Sequence, residues 1–353
     1  MKTAIISAQP RRKFKVFKIA GLSLLGLVVL LALVILIMFG GEIASVATVT
    51  QVENTDLFTM EYKGDYNLEA FLEEGATSDG ELVAFMSRQL LKGIPLKFDL
   101  PDLGCSSFLA KTPQDEVIFG RNFDNFDTPV LVLTTKPKNA YASISVVNLA
   151  FIGYSMEHLP QKFLSRVLTL AAPYAPLDGV NEKGLAIGVL QIDIAPTRQN
   201  TGKTAITTTS AIRMILDKAA TVDEALELLQ LFDMCSSANG CYHFQIADAL
   251  GHSVIVEYIE DELIILEENC ATNFLLAPGD WYNVGGGQDR YEILFSTLEE
   301  TNTVMTANEG MDLLEAVHQK STQWSVIYNL TQKNADLCLH KNYDVHYSFW
   351  VEK

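Results

Sequence analysis

Cys105 lies between Gly104 and Ser106, at the opening of a segment, "CSSFLAK", that reads as a β-strand. A cysteine becomes a nucleophile when a nearby base or a lowered thiol pKa makes the thiolate accessible. His158, His243, His252, His318, His340 and His346 are spread along the chain, and their spacing selects none as that base. The α-amine of the cysteine itself is another source, because its ordinary pKa, about 7.7–8.0, suits proton transfer near neutrality. That arrangement requires the Gly104–Cys105 bond to be cut. Attack of the thiol on the Gly104 carbonyl would free the amine and leave a thioester for water to open, and glycine tolerates the unusual backbone such an attack needs. A separate protease is the other route. Taken alone, Cys105 reads as a small buried hydrophobe.

Arg121 and Asp124, in "GRNFDN", follow 16 and 19 residues later. If they sit on a strand antiparallel to that of Cys105, joined to it by "TPQDEV", they meet the cysteine at one end of a hairpin. Arg121 would then favour the thiolate or hold a substrate carboxylate, and Asp124 would orient the new amine. An ordinary hairpin salt bridge is the plainer alternative. There is no "HExxH" pattern, and Cys105, Cys235, Cys241, Cys270 and Cys338 match no zinc template, so neither metal nor cofactor is implied. An odd number of cysteines leaves at least one thiol free or bonded to another molecule, and a Cys235–Cys241 disulfide is compatible with the spacing. His243, in "YHFQIAD", reads as a hydrogen-bonded structural histidine; Trp281 and Tyr282 read as a pocket wall or as core.

The elements that must carry these residues follow from local pattern. "TPVLVLTTKP" and "YASISVVNLAF" are strand candidates rich in Val, Ile and Thr, and "DGVNEKGLAIGVL" reads as a tight turn feeding another strand. Helices are expected over Thr208–Ala219 and Val222–Leu231, the second with Asp223 and Glu224 near its N-terminus, and later over Tyr291–Glu299 and Gly310–Val317. Three strands are expected within 241–267, and two more around Trp324–Leu330 and Val345–Trp350. Short alternating segments of this kind point to an α+β layered domain with antiparallel sheets rather than a βαβ series.

The ends of the chain differ in charge. Residues 1–18 hold six basic residues and no acid, while the whole chain carries −17. An acidic body lacks the cations that phosphate binding needs, which argues against nucleic acid as a partner. The uncharged run Ile19–Gly41 is long enough to cross a bilayer as a helix. The basic flank 1–18 would stay inside and the remainder outside. The rival reading is a long signal peptide cut near "SVA" at 45–47, giving a secreted protein. Residues 42–104 form a distinct region, read as linker or propeptide, with a stalk or a small packed subdomain as alternatives. Its stretch 68–92 ends in a plausible amphipathic helix.

Four separated motifs, "CSSFLAKTPQDEVIFGRNFDN", "LDGVNEKGLAIGVL", "CATNFLLAP" and "GGGQDRYEIL", carry a resemblance over residues 105–353. The sequence resembles the choloylglycine hydrolase, or linear amide C–N hydrolase, family, which includes bile salt hydrolases and penicillin V acylases. The resemblance implies a four-layer αββα N-terminal-nucleophile hydrolase fold, here preceded by the transmembrane helix. It makes Cys105 both nucleophile and base. Arg121 matches the arginine after the nucleophile, Asp124 the aspartate that positions the amine, and Asn273 the asparagine of the oxyanion hole. Arg290 matches the late arginine supporting the polar network. Gln191 stands where the family alternates between asparagine and tyrosine beside the oxyanion, a departure that leaves its amide or its backbone N–H as the donor. Asn181 and Gly184 fit a structural turn. The long segment before Gly104–Cys105 looks more like self-processing acyltransferases and ceramidase-like relatives of the wider superfamily.

The function expected is hydrolysis of a non-peptide linear amide of an N-acylated small molecule, through an acyl-enzyme on Cys105. Transfer of the acyl group to an amine by a self-processing acyltransferase is the alternative enzyme, and an inactive membrane-tethered binding domain is the alternative outside catalysis. Homo-oligomers are compatible with the sequence.

Overall fold

The computed structural model describes residues 11–98 and 104–351. Residues 1–10 of the basic flank, and 99–103 directly before Gly104, lie outside the described residues. Helix α1 (Arg11–Thr48) leads into β1 (Thr50–Gln51), β2 (Leu57–Tyr62), α2 (Leu68–Glu74) and α3 (Asp79–Gln89). Then come β3 (Gly104–Lys111), β4 (Val117–Asp124), β5 (Val130–Thr135), β6 (Ser143–Asn148), β7 (Pro176–Asn181) and β8 (Ala186–Ile192). The middle of the chain holds β9 (Ala205–Ile206), α4 (Thr208–Lys218), α5 (Val222–Gln230), β10 (Asp233–Met234), β11 (Cys241–Ala247), β12 (Ser253–Ile259) and β13 (Glu262–Leu266). It ends with β14 (Cys270–Ala271), β15 (Asn273–Phe274), β16 (Gly285–Gly286), α6 (Gln288–Glu300), α7 (Ala307–Ala316), β17 (Thr322–Asn329), β18 (Asn334–Leu339) and β19 (Tyr347–Trp350).

Two large sheets form. One has nine strands in the order β1-β2-β5-β6-β7-β8-β11-β12-β13, the other six in the order β14-β3-β4-β17-β18-β19. Apart from the parallel pair β2–β5, both ladders are antiparallel. Period-two alternation sorts the side chains of β3 and β4 to opposite faces. Cys105, Leu109, Phe119 and Phe123 point into the core between the sheets, whereas Phe108, Ala110 and Ile118 pack outward with Leu294, Leu298 and Leu314 of α6 and α7. On the far side α4 packs against β7 and β8. The result is four layers, helix–sheet–sheet–helix, in an α+β fold.

The late helices begin earlier than the periodicity suggested. Gly287 enters α6 at φ 89°, and Thr306 with Glu309 forms a reciprocal cap that starts α7. All five cysteines are free and buried, so Cys235 and Cys241 are not bonded to each other.

Residues 42–98 pack against the rest of the domain. Strand β2 pairs with β5 over Leu57–Tyr62, and Leu57, Phe71, Leu82 and Phe85 are fully buried. Tyr66 Oη donates to Asp217 Oδ2 at 2.6 Å, Tyr174 Oη donates to the Tyr66 carbonyl at 2.8 Å, and the Ala76 amide donates to Ala205 O at 2.8 Å.

Helix α1 contains the apolar run 19–41, but side chains at 11–21, 31, 32 and 34–38 lie outside the described set. Among the described residues no helix is long and apolar enough to cross a membrane. The described part of α1 nevertheless exposes a row of apolar side chains, Leu22, Leu24, Leu25, Leu27 and Leu30 among them.

Candidate active site

The hairpin β3–β4 pairs Gly104 with Asp124 and Cys105 with Phe123, so the thiol and the carboxylate come to the same end of the ladder. The Cys105 side chain enters the layer between the sheets and is fully buried. Arg121, also pointing inward, spans the layer: Nη2 donates to Cys105 Sγ at 3.2 Å and to Val189 O at 2.5 Å, and Nη1 donates to Leu177 O at 2.5 Å. Gly188 makes room for it, since a Cβ there would lie 3.2 Å from Arg121 Cδ and Nη1.

Asp178, also fully buried, lies 3.3 Å from Arg121 Nη1. Trp324 Nε1 donates to its Oδ2 at 3.1 Å and Tyr328 Oη to its Oδ1. Burial pushes the Asp178 carboxyl up, opposed by the guanidinium and the two donors. Burial likewise pushes the Cys105 thiol above its ordinary value; Arg121 opposes this and Asp124 adds to it.

Three further groups converge on the Cys105 backbone. Its N–H donates to Asn273 Oδ1 at 2.9 Å. Arg290, entering from the first turn of α6, donates through Nη1 to Cys105 O at 2.6 Å and to Ser106 Oγ at 2.5 Å, and through Nη2 to Asn273 Oδ1 at 2.7 Å. Asn273 Nδ2 donates to Gln191 O at 2.7 Å. Gln191 thus meets Asn273 through its backbone carbonyl, an acceptor. The Asp124 carboxylate accepts from Gln319 Nε2 at 2.6 Å and Thr322 Oγ1 at 2.5 Å, with Arg290 Nη1 3.9 Å away. Gly104 sits against this carboxylate: a Cβ there would lie 2.4 Å from Gln319 Nε2 and 3.1 Å from Asp124 Oδ2.

A cleft of about 300 Å³ opens at this point, lined by Gly104, Gln191, Asp193, Asn273, Arg290 and Gln319 among others. A second cavity of about 280 Å³ is lined by Ile194, Pro196, Tyr258, Ile259, Leu275 and Trp281 among others. Its walls continue the chain just past Gln191 and Asn273. Trp281 is part of a pocket wall, and Trp324 stacks on Phe123 in the core with ring centroids 3.9 Å apart.

All six residues singled out in the sequence, Cys105, Arg121, Asp124, Gln191, Asn273 and Arg290, thus come together around Gly104–Cys105. Sequence reading missed Asp178, Gln319 and Thr322. Asp178 carried one faint signal, a charge at the start of a segment otherwise destined for burial; Gln319 and Thr322 carried none. Among the described residues no group of His, Cys, Asp or Glu is arranged to hold a metal ion.

Comparison with known proteins bears on this arrangement. The model of the linear amide C–N hydrolases, choloylglycine hydrolase family, matches residues 105–282, and the match begins on Cys105 itself. Over 99 residues the chain is 33% identical to a penicillin V acylase of Pectobacterium atrosepticum, a stretch covering 25% of this chain and 26% of that protein. The chain therefore spans about a quarter of the length of that curated relative. A variant of the conjugated bile acid hydrolase from Clostridium perfringens superposes with a TM-score of 0.50 at 17% identity, over 69% of this chain and 92% of that one. This likeness is one of fold, and it agrees with the layered sheets described above. A penicillin V acylase from Agrobacterium tumefaciens gives a TM-score of 0.42 at 16% identity, over 67% and 83% of the two chains.

Proposed function

We propose, for a chain that belongs to the choloylglycine hydrolase family of linear amide C–N hydrolases, that Cys105 is the nucleophile and, once the Gly104–Cys105 bond is cut, its own base. The observation that carries this reading is the convergence on one residue. Arg121 meets its sulfur, Asn273 its nitrogen and Arg290 its carbonyl oxygen, with the Asp124 carboxylate beside the preceding glycine.

In the proposed reaction the freed α-amine takes the thiol proton as sulfur attacks the carbonyl carbon of an N-acyl amide. An amide nitrogen has two hydrogens, so Asn273 Nδ2 keeps one for the developing oxyanion while the other serves Gln191 O. The amine passes its proton to the departing nitrogen, leaving a thioester. Water then attacks the thioester; the amine takes a proton from the water and returns it to sulfur as the acid leaves. Asp124, fixed by Gln319 and Thr322, orients the amine, and Arg121 stabilises the thiolate against the cost of burial.

The second cavity, whose lining is mainly apolar but includes Arg198, Glu260 and Asp261, supports a substrate with an apolar acyl group. The basic flank and apolar run ahead of Glu42, with the exposed leucines of α1, support an anchor that leaves the catalytic domain outside the cell. Release of the protein from membranes by alkaline carbonate would count against that placement.

The chemistry is tested by trapping. Processed protein is mixed with p-nitrophenyl decanoate and its peptides are weighed. A decanoyl adduct on the peptide that begins at Cys105, absent from Cys105→Ala, is the expected result. Equal labelling of the alanine variant would contradict the assignment.

A further inference from the structure

Asn273 is held from behind by two buried groups that no step above uses. His243, in the middle of β11, places Nε2 2.7 Å from Thr272 O, and Nδ1 3.2 Å from Oε1 of Glu257 on the neighbouring strand β12. A backbone carbonyl only accepts, so Nε2 is the donor to Thr272. Glu257 Oε1 accepts the Leu276 amide at 2.8 Å, and Oε2 accepts the Ala277 amide at 3.0 Å. Both side chains are fully buried.

Burying an acid and an imidazole is costly unless their partners are well placed. A pair that only satisfied itself would serve stability alone. Here each remaining contact goes to the backbone of a single short stretch, 272–277, and the contacts bracket Asn273 on both sides. The ladder of that stretch is short: among the described residues β15 is two residues long and pairs with the two glycines of β16, extended by the Leu275 amide donating to Val284 O. The large sheet that supplies His243 also supplies Gln191, paired with Tyr242 next to His243. One rigid ladder therefore fixes Asn273 through the Thr272 carbonyl and through the Gln191 carbonyl that Asn273 Nδ2 meets.

We infer that His243 and Glu257 are positioning residues that aim the Asn273 amide at the oxyanion, an inference that rests on the role given to Asn273 above. Their substitution should misplace a donor that acts in the transition state, and so slow acylation without weakening binding.

A double-mutant cycle on the processed enzyme tests this, reading the burst of p-nitrophenolate from p-nitrophenyl decanoate, its concentration dependence and the melting temperature. Removing an oxyanion donor is expected to slow the burst about 100-fold in Asn273→Ala. His243→Ala and Glu257→Gln each slow it about tenfold at saturating probe, with half-saturation unchanged, and His243→Gln, which keeps a donor for Thr272 O, recovers most of the loss. In the Asn273→Ala background the same substitutions change the burst less than about twofold, because the donor they position is gone. Equal slowing in both backgrounds, or a lower melting temperature with an unchanged burst, overturns the inference and leaves the pair purely structural. An unchanged burst in Asn273→Ala alone would overturn the role of Asn273 and the inference with it. Loss of the burst in that variant with independent effects of His243 would sink only the inference.

Discussion

Among the described residues, two arginine–aspartate pairs whose side chains are almost wholly out of solvent do different work. Arg121–Asp178 lies between the sheets, where Arg121 also meets a thiol and two strand carbonyls. Arg213–Asp217 lies under α4, where Nη2 reaches Asp217 Oδ1 at 2.6 Å and Ser143 Oγ at 2.7 Å, and Asp217 accepts from Tyr66. Arg121 leaves only Nε without a partner, whereas Arg213 leaves both Nε and Nη1. The first pair is tied to the Cys105 thiol and to the carbonyls of β7 and β8. The second meets no thiol among the described residues and joins Tyr66, in the segment before Cys105, to Ser143 of the large sheet. A buried ion pair is thus not a site in itself; what it touches decides its role.

The sharpest way to break the comparison is to cut both pairs the same way. Removing one partner of a buried pair strands the other charge, so Arg121→Met and Arg213→Met should each lose about 3–5 kcal/mol in denaturant unfolding. Only Arg121→Met should also slow acylation per folded molecule, by about 100-fold or more. Equal effects on acylation would erase the distinction. Asp124→Asn is next in size: the burst per folded molecule should fall by about 100-fold, because the amine loses its orienting charge.

Tyr66→Phe sharpens the other side. It deprives a buried carboxylate of a donor and should cost about 1–3 kcal/mol with the burst unchanged. The same contact predicts that cleavage before Cys105 leaves two chains that elute together under native conditions and separate in denaturant, with Tyr66→Phe loosening them. The smallest effect belongs to an exposed pair. Asp336 accepts from His346 at 2.6 Å, and that hydrogen bond raises the His346 pKa above its ordinary value. The stability difference between wild type and His346→Gln, about 0.5 kcal/mol for a partly exposed pair, should be full below about pH 6.5 and fade as pH rises through the higher folded value. A difference that grew with pH would contradict the assignment.

The hairpin of Cys105, Arg121 and Asp124 was legible because its partners lie within twenty residues and strand alternation fixes which side chains share a face. Asn273 and Arg290 were legible only through motif resemblance, since more than 160 residues separate them from Cys105. Asp178, Gln319 and Thr322 were not, because their role arises where separate strands meet. The burial of residues 42–98 was hidden for a similar reason: β2 is a short strand whose parallel partner lies beyond the cysteine. His243 was read as structural; its buried hydrogen bonds agree with that reading, while their target, Thr272, depends on tertiary packing.

The central claim is that a free N-terminal Cys105 makes the site. Mass spectrometry of the purified protein's N-termini, comparing wild type with Cys105→Ser and Cys105→Ala, tests it most directly. The account predicts a wild-type chain beginning at Cys105 and an alanine variant left intact before it. An intact Gly104–Cys105 bond in protein that hydrolyses amides would contradict it.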